Sequence, residues 1–132
     1  MFLSRLLMAA SSTITSTSTN NLVQYVIVRG DLKWPTGALI GQGCHASVAA
    51  IFNQINDPRT NDYLKDLDHM TKVVLKAESE QQIIDASTKL EENGIKYYIW
   101  REQPENIITA LATIPHERET LKPLLSNFKL FR

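Results

Sequence analysis

The run Gln24-Tyr25-Val26-Ile27-Val28 is β-branched and aromatic with little polar interruption, the composition of a strand buried in a sheet. Arg29 to Pro35 (RGDLKWP) reads as the turn that follows it. From Thr36 to about Ile55 there is no proline, and Leu39, Ile40, Val48, Ile51, Phe52 and Ile55 fall at helical spacing. The same stretch is rich in small residues: Gly37, Gly41, Gly43, Ala46, Ala49 and Ala50. Glycine costs helix propensity, so several of them near one helix start suggest a purpose. Small side chains let a helix pack close to a sheet, or let a substrate approach its backbone. Ala49 is expected to be sterically tight on the first account.

The rest of the chain supplies the other layers. Asp57-Pro58 ends the first helix, and Arg59 to Asp68 is consistent with a short polar one. Thr71 to Lys76 reads as a second strand. Ser79 and Gln82 have the spacing of a capping box, Ile83, Ile84, Ser87 and Leu90 then share a face, and Asn93-Gly94 stops the helix. Ile95 to Arg101 and Ile107 to Ile114 read as a third and a fourth strand joined by Glu102 to Asn106. His116 to Leu125 reads as a final helix with Leu121, Leu124 and Leu125 inward. The helical connections permit parallel neighbours, whereas the last two strands are joined too closely for a crossover and pair antiparallel. The fold class is α/β: a three-layer arrangement in which a mixed four-stranded sheet is flanked by helices.

One domain suits 132 residues. Fourteen basic residues balance fourteen acidic ones, which argues against non-specific nucleic-acid binding through bulk charge but allows a local basic patch. The single cysteine, Cys44, excludes an intramolecular disulfide and a multi-cysteine zinc site. No apolar run approaches the roughly 20 residues needed to span a bilayer. Residues 1–21 differ from the remainder: a short apolar start, MFLSRLLMAA, precedes a Ser/Thr/Asn-rich segment. The absence of acids before Asp31 resembles a mitochondrial presequence, but Arg5 is the only basic residue before Arg29. A disordered leader, with Met8 as a second start, is the preferred reading, so the domain is placed at 22–132 in the cytoplasm, with mitochondria the alternative.

The most informative stretch is Tyr25 to Ala50, YVIVRGDLKWPTGALIGQGCHASVAA. Arg29, Asp31 and Leu32, then Gly37, then Gln42, His45 and Ala46 resemble the opening motif of type 2 peptidyl-tRNA hydrolases: an apolar strand, Arg-x-Asp-Leu, Gly-Lys, and a helix carrying Gln-x-x-His-Ala. TKVVLKAESEQQI (71–83) and the strand end Trp100-Arg101-Glu102 fit in order. The Trp-Pro-x-Gly-Ala and Glu-Gln-Pro-Glu-Asn-Ile segments are similar to a divergent branch, the peptidyl-tRNA hydrolase domain-containing proteins. Two positions depart from the main family. Ala38 stands where a lysine follows the glycine. Glu102 to Asn106 stands where Asp-Ala-Gly-x-Thr ends the third strand, keeping a carboxylate on a longer arm.

The resemblance implies cleavage of the ester between peptide and tRNA, with peptidyl-tRNA or tRNA as partner, no membrane, no metal or organic cofactor, and a role in translation quality control. It leaves a homodimer open. Such chemistry needs an activated water, donors for an oxyanion, and cations for phosphates. It implies His45, Asp31 and Glu102 as catalytic residues and Arg29, Lys33, Gln42 and Asn106 as substrate-binding ones. The other class of function is a tRNA- or protein-binding module that keeps the fold without turnover. Each residue also has a structural reading: His45 packed in its helix, Asp31 capping a turn, Arg29 and Lys33 as surface charges, Gln42 solvated, Glu102 as loop charge. Cys44 has no evident activating neighbour, and Trp34 and Trp100 are read as closing a core rather than stacking on a base.

Residues 1–20 have no periodic apolar face, so removing them leaves the melting temperature of the domain unchanged. A large drop on thermal unfolding of the truncated chain would place the leader against the domain instead.

Overall fold

The computed structural model describes residues 21–132. The expected leader, apart from Asn21, lies outside them. Strand β1 (Leu22–Arg29) is buried from Leu22 to Val28, as its composition requires. It pairs in parallel with β2 (Lys72–Ala77), Gln24 lying opposite Lys72 and Arg29 opposite Ala77. On its other side it pairs antiparallel with β4 (Ile107–Thr113), Ile27 facing Leu111. Strand β3 (Tyr97–Glu102) forms a hairpin with β4, with a register irregularity between Trp100 and Arg101.

The sheet is mixed and layered as expected, but it has six strands rather than four. The two additions are β5 (His116–Glu117) and β6 (Lys129–Leu130). Each is two residues long, too short to leave an alternating pattern. Strand β5 occupies what the sequence suggests is the start of the last helix: Glu117 and His116 pair antiparallel with Leu22 and Val23. Strand β6 pairs with β2 at the far edge, giving the order β3-β4-β1-β2-β6.

Helix α1 (Thr36–Asn53) covers one face of the sheet, and α3 (Glu80–Glu92) with α4 (Arg118–Leu124) covers the other. Helix α2 (Pro58–Leu64) begins at the predicted break: Asp57 caps it by accepting from the Arg59 N–H at 2.9 Å. Arg59 in turn reaches Glu117 at 3.0 Å and ties α2 to β5. The α3 start is the capping box, with Ser79 Oγ accepting from Gln82 N and Gln82 Oε1 accepting from Glu78 N. Its end is a left-handed Gly94 (φ 70°), after which the Ile95 N–H returns to the Leu90 carbonyl.

The α3 side holds the larger core: Val23, Tyr25 and Ile27 of β1 against Ile83, Ala86, Leu90, Leu121 and Leu125. The α1 side is thin. Val26, Val28, Ala110 and Ala112 meet Ala46 and Ala50. A Cβ on Gly43 would stand 3.2 Å from a Val28 methyl, so the helix has reached the limit of approach. Of the two accounts of the small residues, close packing on the sheet therefore holds for Gly43, Ala46 and Ala50. Ala49 is only half-buried. The larger apolar residues of α1 face away: Ile40, Val48 and Phe52 are 62%, 67% and 75% exposed.

A buried polar knot fixes α1 lengthwise. Gln24 is fully buried; its amide nitrogen donates to the Ser47 and Thr113 carbonyls, and its oxygen accepts from Ser47 Oγ at 2.7 Å and Lys72 Nζ at 2.6 Å. Every polar atom of that side chain is thus satisfied in an otherwise costly position. No helix among the described residues is long and apolar enough to cross a membrane.

Ala46→Leu should cost roughly 1–3 kcal/mol of stability, because the added methylenes have no room between α1 and β1. Val48→Thr, on the open side, should stay within about 0.5 kcal/mol of the parent. Urea unfolding of the two variants measures both, and equal midpoints would show that α1 is not seated on its small residues.

Candidate active site

Parallel strands β1 and β2, and β3 on the far side of β4, all end on one side of the sheet, and α1 starts there. Ligands of open α/β sheets bind outside such carboxyl ends. The residues singled out in the sequence gather at this rim as two separate groups.

The first group lies on α1, β3 and β4. Gln42 is one residue before Gly43, so the seating of the helix turns it inward, where it is buried. The Thr109 hydroxyl donates to its Oε1 at 2.6 Å. That bond leaves the Gln42 NH₂ as the available donor. His45 is on the outer flank of the same helix, exposed, with its ring stacked on Trp100 at a centroid distance of 4.4 Å and an interplanar angle of 13°. The Trp100 indole N–H donates to Glu102 Oε1 at 2.9 Å. This bond holds the Glu102 carboxyl below the ordinary glutamate range, with Gln42 and the His45 ring acting in the same sense against partial desolvation. Glu102 is thus an ionised carboxylate at neutral pH, close enough to the His45 ring to feel it electrostatically.

The second group lies on the turn after β1. Arg29 grips Asp31 through two bonds, Nε to Oδ1 at 3.0 Å and Nη2 to Oδ2 at 2.7 Å, and its Nη1 donates to the Ile108 carbonyl at 3.2 Å. The hydrogen bond from Arg29 lowers the Asp31 carboxyl, and the same bond raises the guanidinium. Such a bidentate pair is a rigid unit. Asp31 therefore anchors Arg29 and, through Ile108, ties the turn to β4. Lys33 is exposed on the same turn.

Asn106 has a left-handed backbone (φ 58°), a conformation asparagine tolerates better than most residues. Its N–H donates to the Glu102 carbonyl at 2.8 Å, its carbonyl accepts from Arg101, and its Oδ1 accepts from Gln103. In this structure its bonds close the β3–β4 turn. Gln42 is buried, which differs from the solvated reading. Cys44 is exposed. Trp100 does pack beside the α1 core, as read, but it also joins His45 to Glu102. Thr109 was not visible from sequence, since a threonine in an apolar run reads only as a strand former. Among the described residues no three His, Cys, Asp or Glu side chains group as a metal site requires.

The family model described as Peptidyl-tRNA hydrolase PTH2 matches residues 22–131, and the chain belongs to that family. A mouse relative named "Putative peptidyl-tRNA hydrolase PTRHD1" is 41% identical over 116 residues, covering 84% of this chain and 83% of its own. The human protein of the same name is 40% identical over the same shares. A peptidyl-tRNA hydrolase of Thermococcus sibiricus is 33% identical over 114 residues, covering 81% of this chain and 95% of its own. Within the family the chain sits on the divergent branch that the mouse and human proteins represent.

Trp100→Phe keeps an aromatic ring for His45 and removes the indole donor. The Glu102 carboxyl should then titrate closer to the ordinary glutamate range, as read by carbon-detected NMR titration. The sign follows from linkage: a lowered folded pKa stabilises above the ordinary range and is lost as pH falls through the lowered value. An unmoved Glu102 titration would remove Trp100 as its principal partner.

Proposed function

We propose that the chain hydrolyses the ester joining a peptide to tRNA, releasing peptide and free tRNA. The observation that carries this reading is the convergence of an imidazole, a carboxylate and an oriented amide donor at the carboxyl rim of the sheet. Glu102, pulled below the ordinary range, is a weak base, so its part is to orient the water and to stabilise a charged imidazole. His45 takes the proton as the water oxygen adds to the ester carbonyl carbon. The Gln42 NH₂, fixed by Thr109, is the donor for the oxygen that becomes negative. When the carbon–oxygen bond to the ribose breaks, the proton on His45 passes to the departing ribose oxygen. Lys33, exposed on the turn that the Arg29–Asp31 pair holds, is assigned to tRNA phosphates.

A second reading keeps tRNA contact without turnover. Two observations favour it. Ala38 puts no cation at the helix start, where the main family has lysine. Arg29 holds both Asp31 oxygens, so that carboxylate has little capacity left for a substrate proton.

Turnover of purified protein on a peptidyl-tRNA, measured beside tRNA binding, separates the two. General acid–base assistance is worth typically 10²–10⁴-fold, so His45→Ala should lower kcat on that scale while binding persists. Ala38→Lys should raise turnover by returning the missing charge. A chain that binds tRNA, cleaves nothing above background and is not rescued by Ala38→Lys is the binding module.

A further inference from the structure

Beyond the residues placed in the reaction, the opposite end of the same rim carries an open groove of about 620 Å³. It lies between the end of β2, the start of α3 and the C-terminal segment, lined by Lys76, Glu78, Gln82, Asn127, Lys129 and Arg132 among others. Three of these side chains are cationic and one is anionic. The anion, Glu78, stands 3.8 Å from Lys76, a loose pairing that leaves the groove net positive. The whole chain is neutral, so this is a concentration of charge rather than a share of a general excess.

Lys76 connects the groove to the site already described. A Cβ on Gly30 would collide with the Lys76 methylenes, so the lysine stem lies across the backbone of the turn that bears Arg29 and Asp31. The Gly30 N–H also bonds the Ala77 carbonyl at 2.8 Å. The turn and the groove are therefore one continuous surface.

Strand order sets the span. From β3, which carries Glu102, to β2 is three strand spacings, and to β6 four, or ~14 to ~19 Å at ~4.8 Å each. A stacked nucleic-acid strand rises ~3.4 Å per nucleotide, so that span is about four to six nucleotides. The unpaired 3′ end of a tRNA is about that long.

We propose that the Lys76–Lys129–Arg132 groove binds backbone phosphates of the tRNA acceptor stem where it joins the unpaired 3′ end. This rests on the proposed engagement of tRNA and extends it beyond the Arg29–Lys33 turn along the same surface. The groove then sets the distance between duplex and ester, so that the terminal ribose arrives beside His45 and Glu102.

The test is the salt dependence of binding deacylated tRNA to the full chain and to the double variant Lys129→Gln/Arg132→Gln. Each lost phosphate contact removes about 0.7–0.9 from the slope of log affinity against log salt, so the double variant should lose roughly 1.5. Lys89→Gln/Lys96→Gln is the matched control: the same change of charge, on residues at the far end of the sheet, should leave the slope alone. A slope intact in the groove variant, or lowered equally in the control, overturns the groove. Absence of tRNA binding by the unsubstituted chain overturns the proposed function itself, and the groove with it.

Discussion

The contact between α1 and β1 sets the geometry of everything at the rim. Gly43 meets Val28, and Ala46 and Ala50 lie on Val26 and the alanines of β4. A helix seated this deeply has its rotation decided by its small residues rather than its large ones. That rotation buries Gln42 against Thr109 and brings His45 flat onto Trp100. The Gln24 knot then fixes how far the helix slides, because Ser47 bonds one strand residue through both its carbonyl and its hydroxyl. Rotation and translation of the helix that bears Gln42 and His45 are thus set by two contacts with rigid strands.

Much of the fold was legible because each element carries its own punctuation. The capping box at Ser79, the Asn93-Gly94 stop and the Asp57-Pro58 break fall where the chain turns. The β5 and β6 pairings were hidden because two residues cannot show a period, and they form only once β1 and β2 present an edge. The inward face of α1 is unmarked in the sequence for another reason. From Thr36 to Asn56 there is no Asp, Glu, Lys or Arg, so polarity does not mark an outer face. The complement was present in ITALAT (108–113), where Ala110 and Ala112 leave room on one side of β4, but it has meaning only once the helix is known to cross there.

The candidate site was legible as residues that the fold brings to one rim, and not as a set of bonds. The motif names Arg29, Asp31, Gln42, His45 and Glu102 alike, and the structure divides them. Asp31 and Arg29 satisfy one another, while Glu102 is held by an indole and by the electrostatics of His45. Both carboxyls are lowered, yet for different ends. One is a strut between a turn and a strand; the other is a charge left beside an exposed imidazole. Sequence spacing could not separate these roles, since the indole N–H of Trp100 and the hydroxyl of Thr109, which decide the second, gain their partners only when β3, β4 and α1 are brought together.

The departures from the main family can be weighed on the same physical terms. The bonds that orient the site run from Thr109 to Gln42, from Trp100 to Glu102, and by stacking from Trp100 to His45. None of them passes through Ala38. Replacing a lysine there removes a charge from the helix start without disturbing any of these contacts. The longer arm at Glu102 is likewise accommodated, because the indole N–H meets the carboxylate where it lies. The bonded group around Glu102 and the charge at the helix start are therefore separable in this chain. Ala38 alters the field at the helix start and leaves the contacts of Gln42, His45 and Glu102 in place.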